Sequence, residues 1–168
     1  MNSPTPYALR PIRVIGVDPG YERLGVAIVE RVGNKEILLY STCLQTPKGE
    51  FADRLLQLGQ AFARLLATWS PQVCAIEKLF FSTNQKTALG VAEVKGMLSY
   101  LARAQNIEYR EYTPLQVKVA VTSYGKADKK QVIDMVHRLV RIEKEIRHDD
   151  EYDAIAIALT CIASARSH

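Results

Sequence analysis

The stretch Ile12-Arg-Val-Ile-Gly-Val-Asp-Pro-Gly20 decides how the rest of the chain is read. Val14, Ile15 and Val17 are β-branched and favour an extended, buried strand. Pro19-Gly20 stops that strand, because proline has no backbone N–H to give to a ladder and glycine accepts positive φ. Asp18 is thereby set at the tip of an apolar strand, either as a turn former or as a site residue. The strand end alone does not separate the two.

Working outward, residues 24–30 read as a second strand, Gly33-Asn34 as a turn and residues 37–43 as a third strand. Links this short predict an antiparallel meander. Phe51, Leu55, Leu58, Phe62, Leu65 and Trp69 recur every three or four residues, which predicts a helix that Ser70-Pro71 ends. Residues 73–77 form a fourth strand. Because it is reached through a helix, it is expected to lie parallel to an existing strand by a right-handed crossover. A long helix is predicted over 83–105 and a fifth strand over 107–112. Thr113-Pro114 supplies a cap and a first helical position for a short helix to Val121. Asp128 caps a helix over 129–140. Residues 141–147 are a charged connector, whose Arg141, Lys144 and Arg147 read as ordinary surface charge, as does Arg138. Residues 150–165 are apolar on nearly every side, which marks a buried helix. The order β-β-β-α-β-α-β-α-α-α predicts an α/β fold, a five-stranded mixed sheet flanked by helices.

Composition is consistent with one globular unit. Of 168 residues 48% are hydrophobic and 24% charged, and the formal net charge is +4, which permits a polyanionic partner without requiring one. Cys43, Cys74 and Cys161 have no zinc-ligand spacing and read as buried thiols of a reducing cytoplasm. Residues 1–11 carry Pro4, Pro6 and Pro11 and are expected to be a flexible extension rather than a signal peptide. No run is long and apolar enough for a membrane helix, so no membrane partner is expected.

Acids stand at the informative positions. Asp18 ends the first strand and Glu77 the fourth; if these are parallel neighbours, both emerge at the carboxyl edge of the sheet, where sites of α/β folds lie. A third cluster, His148-Asp-Asp-Glu-Tyr-Asp153, opens the last helix. Acids favour helix starts through the dipole and capping. Asp153, however, is followed by Ala-Ile-Ala-Ile-Ala-Leu, and Asp150 and Asp149 both share its face; spacing does not choose between them. Four carboxylates in one place repel one another and call for a cation. An oxygen-only donor set suits Mg²⁺ or Mn²⁺. Two such ions about 3.5–4 Å apart clamp the attacking and leaving oxygens of a phosphodiester.

Gly16-Val-Asp-Pro-Gly20 with Leu24-Gly25, Ala75-Ile-Glu77 with Phe80, Gln116-Val-Lys118, Lys129 before Gln131-Val132, and Asp150-x-x-Asp153-Ala-Ile-Ala occur in that order. In order and spacing this set resembles the RuvC Holliday-junction resolvases, over about residues 12–165. The resemblance implies a ribonuclease-H-like fold, a single nuclease domain over 12–168, and a cytoplasmic homodimer acting in DNA recombination and repair. It implies Mg²⁺-dependent paired symmetric nicks in a four-way DNA junction, with 5′-phosphate and 3′-hydroxyl ends, and a RuvA–RuvB branch-migration complex as partner. By motif, Asp18, Glu77, Asp150 and Asp153 are the catalytic carboxylates and hold two metal ions, Mn²⁺ being able to substitute. The family usually has small residues between the last two acids, where this chain has Glu151 and Tyr152. His148 is out of register.

Phe80 and Phe81 follow Glu77. One is expected to pack and the other to stack on a base near the junction centre, the resemblance favouring Phe80. Ser82, Thr83 and Asn84 stand at a helix start suited to phosphate. Lys118, Lys129 and Lys130 are expected DNA-binding residues, the resemblance implying phosphate contact near the active site for Lys118 and Lys129. Rival readings are another ribonuclease-H-like nuclease acting on hybrid or branched nucleic acid, and a junction-binding protein without chemistry. An actin-like kinase shares the opening Gly-x-Asp-x-Gly but needs a second phosphate motif and a longer chain.

Overall fold

The structure is a computed structural model, and it describes residues 11–78 and 85–165. The elements run β1 (Ile12–Asp18), β2 (Arg23–Val32), β3 (Lys35–Gln45), α1 (Phe51–Trp69), β4 (Val73–Glu77), α2 (Gln85–Ala104), β5 (Glu108–Tyr112), α3 (Pro114–Thr122), α4 (Lys129–Leu139) and α5 (Asp149–Ser164). This is the expected order. β2 and β3 are longer than their apolar runs because the hairpin ladder continues through polar residues, from Arg23 opposite Gln45 to Val32 opposite Lys35. Gly33 closes the hairpin at φ 61°, a left-handed value that favours glycine. The expectations for residues 1–10 and 83–84 lie outside the described residues.

The sheet order is β3-β2-β1-β4-β5. β1–β2 and β2–β3 pair antiparallel, whereas β1–β4 and β4–β5 pair parallel, with Val17 level with Ile76. Strand period divides the core into two layers. Ile15, Val17, Ile28, Cys74 and Ile76 face Leu58, Phe62 and Leu66 of α1 and Val94 and Leu98 of α2. Val14, Ala27, Val29, Val73 and Ala75 face α5, with Val117, Val121, Val132 and Val136 of α3 and α4 beside it. Asp18 and Glu77 continue this second series by steps of two. Alternation therefore turns both acids toward α5 at one edge.

Local chemistry fixes the helix ends. Thr113 with Gln116 and Asp128 with Gln131 make reciprocal capping boxes at α3 and α4. α1 ends at Ser70, which has positive φ and bonds back to Leu66 O. The Arg13 guanidinium reaches Trp69 O at 2.5 Å and Glu30 at 2.7 Å, tying the far end of β1 to α1. Among the described residues, no helix is long and apolar enough to cross a membrane.

α5 lies across β1 and β2 at backbone distance, and two glycines allow it. A Cβ on Gly16 would strike Ala154 O and stand 2.8 Å from Ala158 Cβ; a Cβ on Gly25 would strike Asp150 O. Alanine at either position forces α5 away from the sheet. Overpacking of this kind costs about 1–3 kcal/mol or more. We expect Gly16→Ala and Gly25→Ala to lower the thermal midpoint by roughly 3–10 °C. Gly49→Ala, where a Cβ meets nothing within 4 Å, should leave it unchanged. Calorimetry of the three variants checks this, and a Gly25→Ala midpoint equal to that of Gly49→Ala contradicts the close-approach argument.

Candidate active site

Three elements deliver acids to one place. β1 ends at Asp18 and β4 at Glu77, one step past the paired Val17 and Ile76. α5 contributes Asp150 and Asp153 from its first two turns. Burial first, then the negative charges of Asp153, Glu77 and Asp150, push the Asp18 carboxyl from its ordinary 3.8 up to about 7, against the opposing pull of Lys129. Burial and Asp153 raise Glu77, with Lys95 and Lys129 opposing. Burial raises Asp153 too, although a hydrogen bond from Lys129 offsets part of the effect. Charge thus links the four predicted carboxylates: Asp153, Glu77 and Asp150 act on Asp18, and Asp153 acts on Glu77.

Cations on neighbouring elements serve this cluster. Lys129, the first residue of α4, stands with Nζ 3.1 Å from Asp153 and 3.2 Å from Asp149. Burial alone would lower its ammonium, but the hydrogen bonds and charges of Asp153 and Asp149 leave it raised. The Arg23 guanidinium lies 3.5 Å from Asp150. Geometry separates the doubled aspartates: the Asp149 side chain is 63% exposed, while that of Asp150 is 19% exposed and acts on Asp18.

A cavity of about 290 Å³ opens beside the acids. Glu77, Asp153, Lys118 and Lys129 supply its charged wall, and Pro114, Val117, Val132 and Ile157 its apolar one. Lys118 and Lys129 therefore stand at the carboxylates as expected, whereas Lys130 is exposed on α4 and lines none of this cavity. Phe80, Phe81 and Asn84 lie outside the described residues. His148 is not with the acids; it precedes α5 and its Nε2 meets Gln45 Nε2 of β3 at 2.8 Å.

Several participants were not anticipated. Arg23 sits at the start of β2, opposite the end of β1, so antiparallel pairing was the signal that could have found it. Lys95 of α2 is buried, pairs with Glu111 at 2.9 Å and acts on Glu77. Lys144 corrects the surface-charge reading of the connector: its ammonium bonds the buried Glu151 at 2.5 Å. The two residues are only seven apart, but it is the packing of Glu151 on Ser41 of β3 that buries the pair, and a charged run carries no sign of that.

Among the described residues, no three His, Cys, Asp or Glu side chains form a ready metal cage. The donor chemistry nevertheless fits a hard divalent cation. Every candidate donor is a carboxylate oxygen, neighbouring acids raise the proton affinity of Asp18, Glu77 and Asp153, and the ammonium on Asp153 shows where positive charge is accepted.

The chain is similar to known proteins in sequence and in fold. Residues 14–161 match the protein-family model for "Crossover junction endodeoxyribonuclease RuvC". A crossover junction endodeoxyribonuclease RuvC of Thermotoga maritima is 41% identical over 148 residues, covering 88% of each chain. The corresponding protein of Thermosipho melanesiensis is 41% identical over 153 residues, 90% of this chain and 97% of that one. Among solved structures, T. thermophilus RuvC in complex with Holliday junction substrate superposes with a TM-score of 0.87 at 30% identity, covering 93% of this chain and 96% of that one.

The carboxylate cluster has a consequence for stability without metal. Between pH about 4 and about 7 the folded chain retains a proton on Asp18 that the unfolded chain has released. Stability of the metal-free protein therefore falls as pH rises through that window and stays low above it. Asp18→Asn removes this loss, on the order of 2–4 kcal/mol. At pH 8 and without metal, the variant should melt roughly 5 °C or more above the native chain, the gap closing toward pH 4. Equal midpoints at pH 8 would contradict the assigned repulsion.

Proposed function

This chain belongs to the RuvC family of crossover junction endodeoxyribonucleases, and from that membership we propose that Asp18, Glu77, Asp150 and Asp153 carry its chemistry. It is an endonuclease that resolves Holliday junctions. Nucleases of the family are metal-dependent. We assign two Mg²⁺ ions, replaceable by Mn²⁺, to the four carboxylates. The observation that carries this reading is their convergence from β1, β4 and α5 with Asp18 pushed up to about 7.

Bound there, the ions supply water activation and charge stabilisation at the leaving 3′ oxygen, giving 5′-phosphate and 3′-hydroxyl ends. The residues of the chain do the rest. Asp18 and Glu77, on rigid strand ends, fix the donor oxygens, and Asp150 and Asp153 close on them from the helix. Lys129, paired with Asp153 and Asp149 on the cavity wall, would contact the scissile phosphate beside the metal site. Lys118, on the same cavity wall, neutralises a phosphate oxygen. The apolar wall at Val117, Val132 and Ile157 limits water around the reacting bond. Lys130, Phe80 or Phe81, and Asn84 extend the DNA contact, through phosphate and base stacking.

A two-fold junction suits a two-fold protein. Leu89, Glu93, Gly96 and Tyr100 of α2 fall on one exposed stripe, with Leu89 64% and Tyr100 72% exposed. We assign the homodimer contact to that stripe. A cytoplasmic site of action, one nuclease domain over 12–168, and cooperation with the RuvA–RuvB complex are parts of the same reading.

Asp18→Asn should reduce Mg²⁺-dependent cleavage of a mobile four-way junction by at least about 10³-fold while junction affinity stays within a few fold. A fully active variant overturns the carboxylate assignment. An RNA–DNA hybrid and a linear duplex serve as competing substrates, and preferential cleavage of either would favour the other nuclease reading. Tyr100→Asp should shift the protein to monomer in sedimentation and leave mapped nicks unpaired. A dimeric Tyr100→Asp variant moves the interface elsewhere.

A further inference from the structure

The two residues between Asp150 and Asp153 are Glu151 and Tyr152, and the structure gives both of them partners. Glu151 is 6% exposed. Its Oε2 accepts from Ser41 Oγ of β3 at 2.9 Å and from Lys144 Nζ at 2.5 Å, and the same ammonium donates to Ser41 O at 2.7 Å. One carboxylate thus ties together β3, the 140–148 connector and the first turn of α5. The connector lies on the core through Ile142 and Ile146, on either side of Lys144. Tyr152 turns the other way, its hydroxyl 3.1 Å from His137 Nε2 of α4.

These ties matter because α5 lacks the device that fixes its neighbours. α3 and α4 begin in capping boxes, but His148 makes no side-chain cap at α5. Gly16 and Gly25 set how closely α5 approaches the sheet and which of its residues face it; the clasp adds a lateral hold at its uncapped first turn. Successive helical residues are separated by about 100° around the axis. Glu151 directed onto β3 therefore holds Asp150 at the β1–β2 edge, and Asp153, three residues on, stays on the side of Asp150. Glu151 is no fifth member of the acid cluster, since Asp153, Glu77 and Asp150 are the acids that raise Asp18.

We propose that the Glu151–Lys144–Ser41 clasp positions Asp150 and Asp153 for divalent metal, making Glu151 and Lys144 positioning residues of the active site. The inference rests on the metal reading given above. Its test is Mn²⁺ binding to the full-length, metal-free protein by titration calorimetry, alongside the Mg²⁺ dependence of junction cleavage. Lys144→Met should weaken Mn²⁺ binding about tenfold and raise half-saturating Mg²⁺ by a similar factor, with metal-free junction affinity within twofold. Glu151→Gln keeps the acceptor for Ser41 and should weaken Mn²⁺ about threefold. Arg13→Met removes the remote pair with Glu30 and controls for general destabilisation; it should lower the midpoint and leave Mn²⁺ affinity alone. Native Mn²⁺ affinity in Lys144→Met overturns the proposal whatever its midpoint, and if that variant does not fold, native affinity in Glu151→Gln does so. A wild-type chain that takes up no Mn²⁺ overturns the metal reading itself, and this inference with it.

Discussion

Everything at the carboxyl edge depends on how closely α5 lies on β1 and β2. Gly16 and Gly25 present bare backbone to Ala154 and Asp150, and the small Ala154 and Ala158 return the same shape from the helix. Close packing at these points brings the N-terminal turns of a helix to the ends of two strands. The glycine of the Gly16-Val-Asp18 run and the acid two residues later are thus one device. Strand alternation turns both toward α5, the first to admit the helix and the second to meet its acids. Leu24-Gly25 repeats the arrangement on the neighbouring strand, because antiparallel pairing sets Gly25 opposite Asp18.

Packing of this kind holds together charges that would otherwise separate. Apolar burial on both faces of the sheet supplies the free energy that opposes repulsion among Asp18, Glu77, Asp150 and Asp153. Arg23 and Lys129 relieve part of it. Arg23 is more than half exposed and its contact with Asp150 is long, so its effect is small. Lys129 is more effective because it is anchored at a capped helix start and reaches two carboxylates. What remains falls on Asp18, the acid that three others surround. A site built this way favours cations by construction, since a cation placed there would relieve repulsion as well as form new bonds.

Most of the scaffold was legible in the sequence because its signals are local. Pro19-Gly20, Gly33-Asn34, Thr113-Pro114 and Asp128 mark ends through backbone chemistry, and α1 repeats its apolar face with the helical period. Asp18 and Glu77 were legible for the same reason, each being the polar residue that closes an apolar strand. The choice between Asp149 and Asp150 was not, because both share a face with Asp153 and only the docking of α5 on Gly25 separates them. Lys129 was read as a phosphate ligand; its pairing with Asp153 spans 24 residues, and no local pattern carries it. The Lys144 contact with Ser41 O spans 103 residues, and a connector rich in both signs looks solvated until β3 is folded beneath it.

Glu151 shows how a carboxylate beside the acid cluster is kept out of it. A carboxylate next to Asp150 would intensify the repulsion if it shared the edge. The helical turn instead carries it about 100° away, onto the face that also holds the buried Ala154, Ile155 and Ala158. A lone charge there is costly, and a buried carboxylate persists only with partners that satisfy it. Ser41 and Lys144 supply them, and the connector that brings Lys144 must lie down on the core to do so. Glu151 therefore brings order as well as charge: a connector without regular structure has a fixed point, and the uncapped start of α5 has a lateral one. Tyr152 completes the arrangement by engaging α4, the helix whose first residue is Lys129. The acids of α5 and the lysine that neutralises them are thereby held by one connected set of contacts.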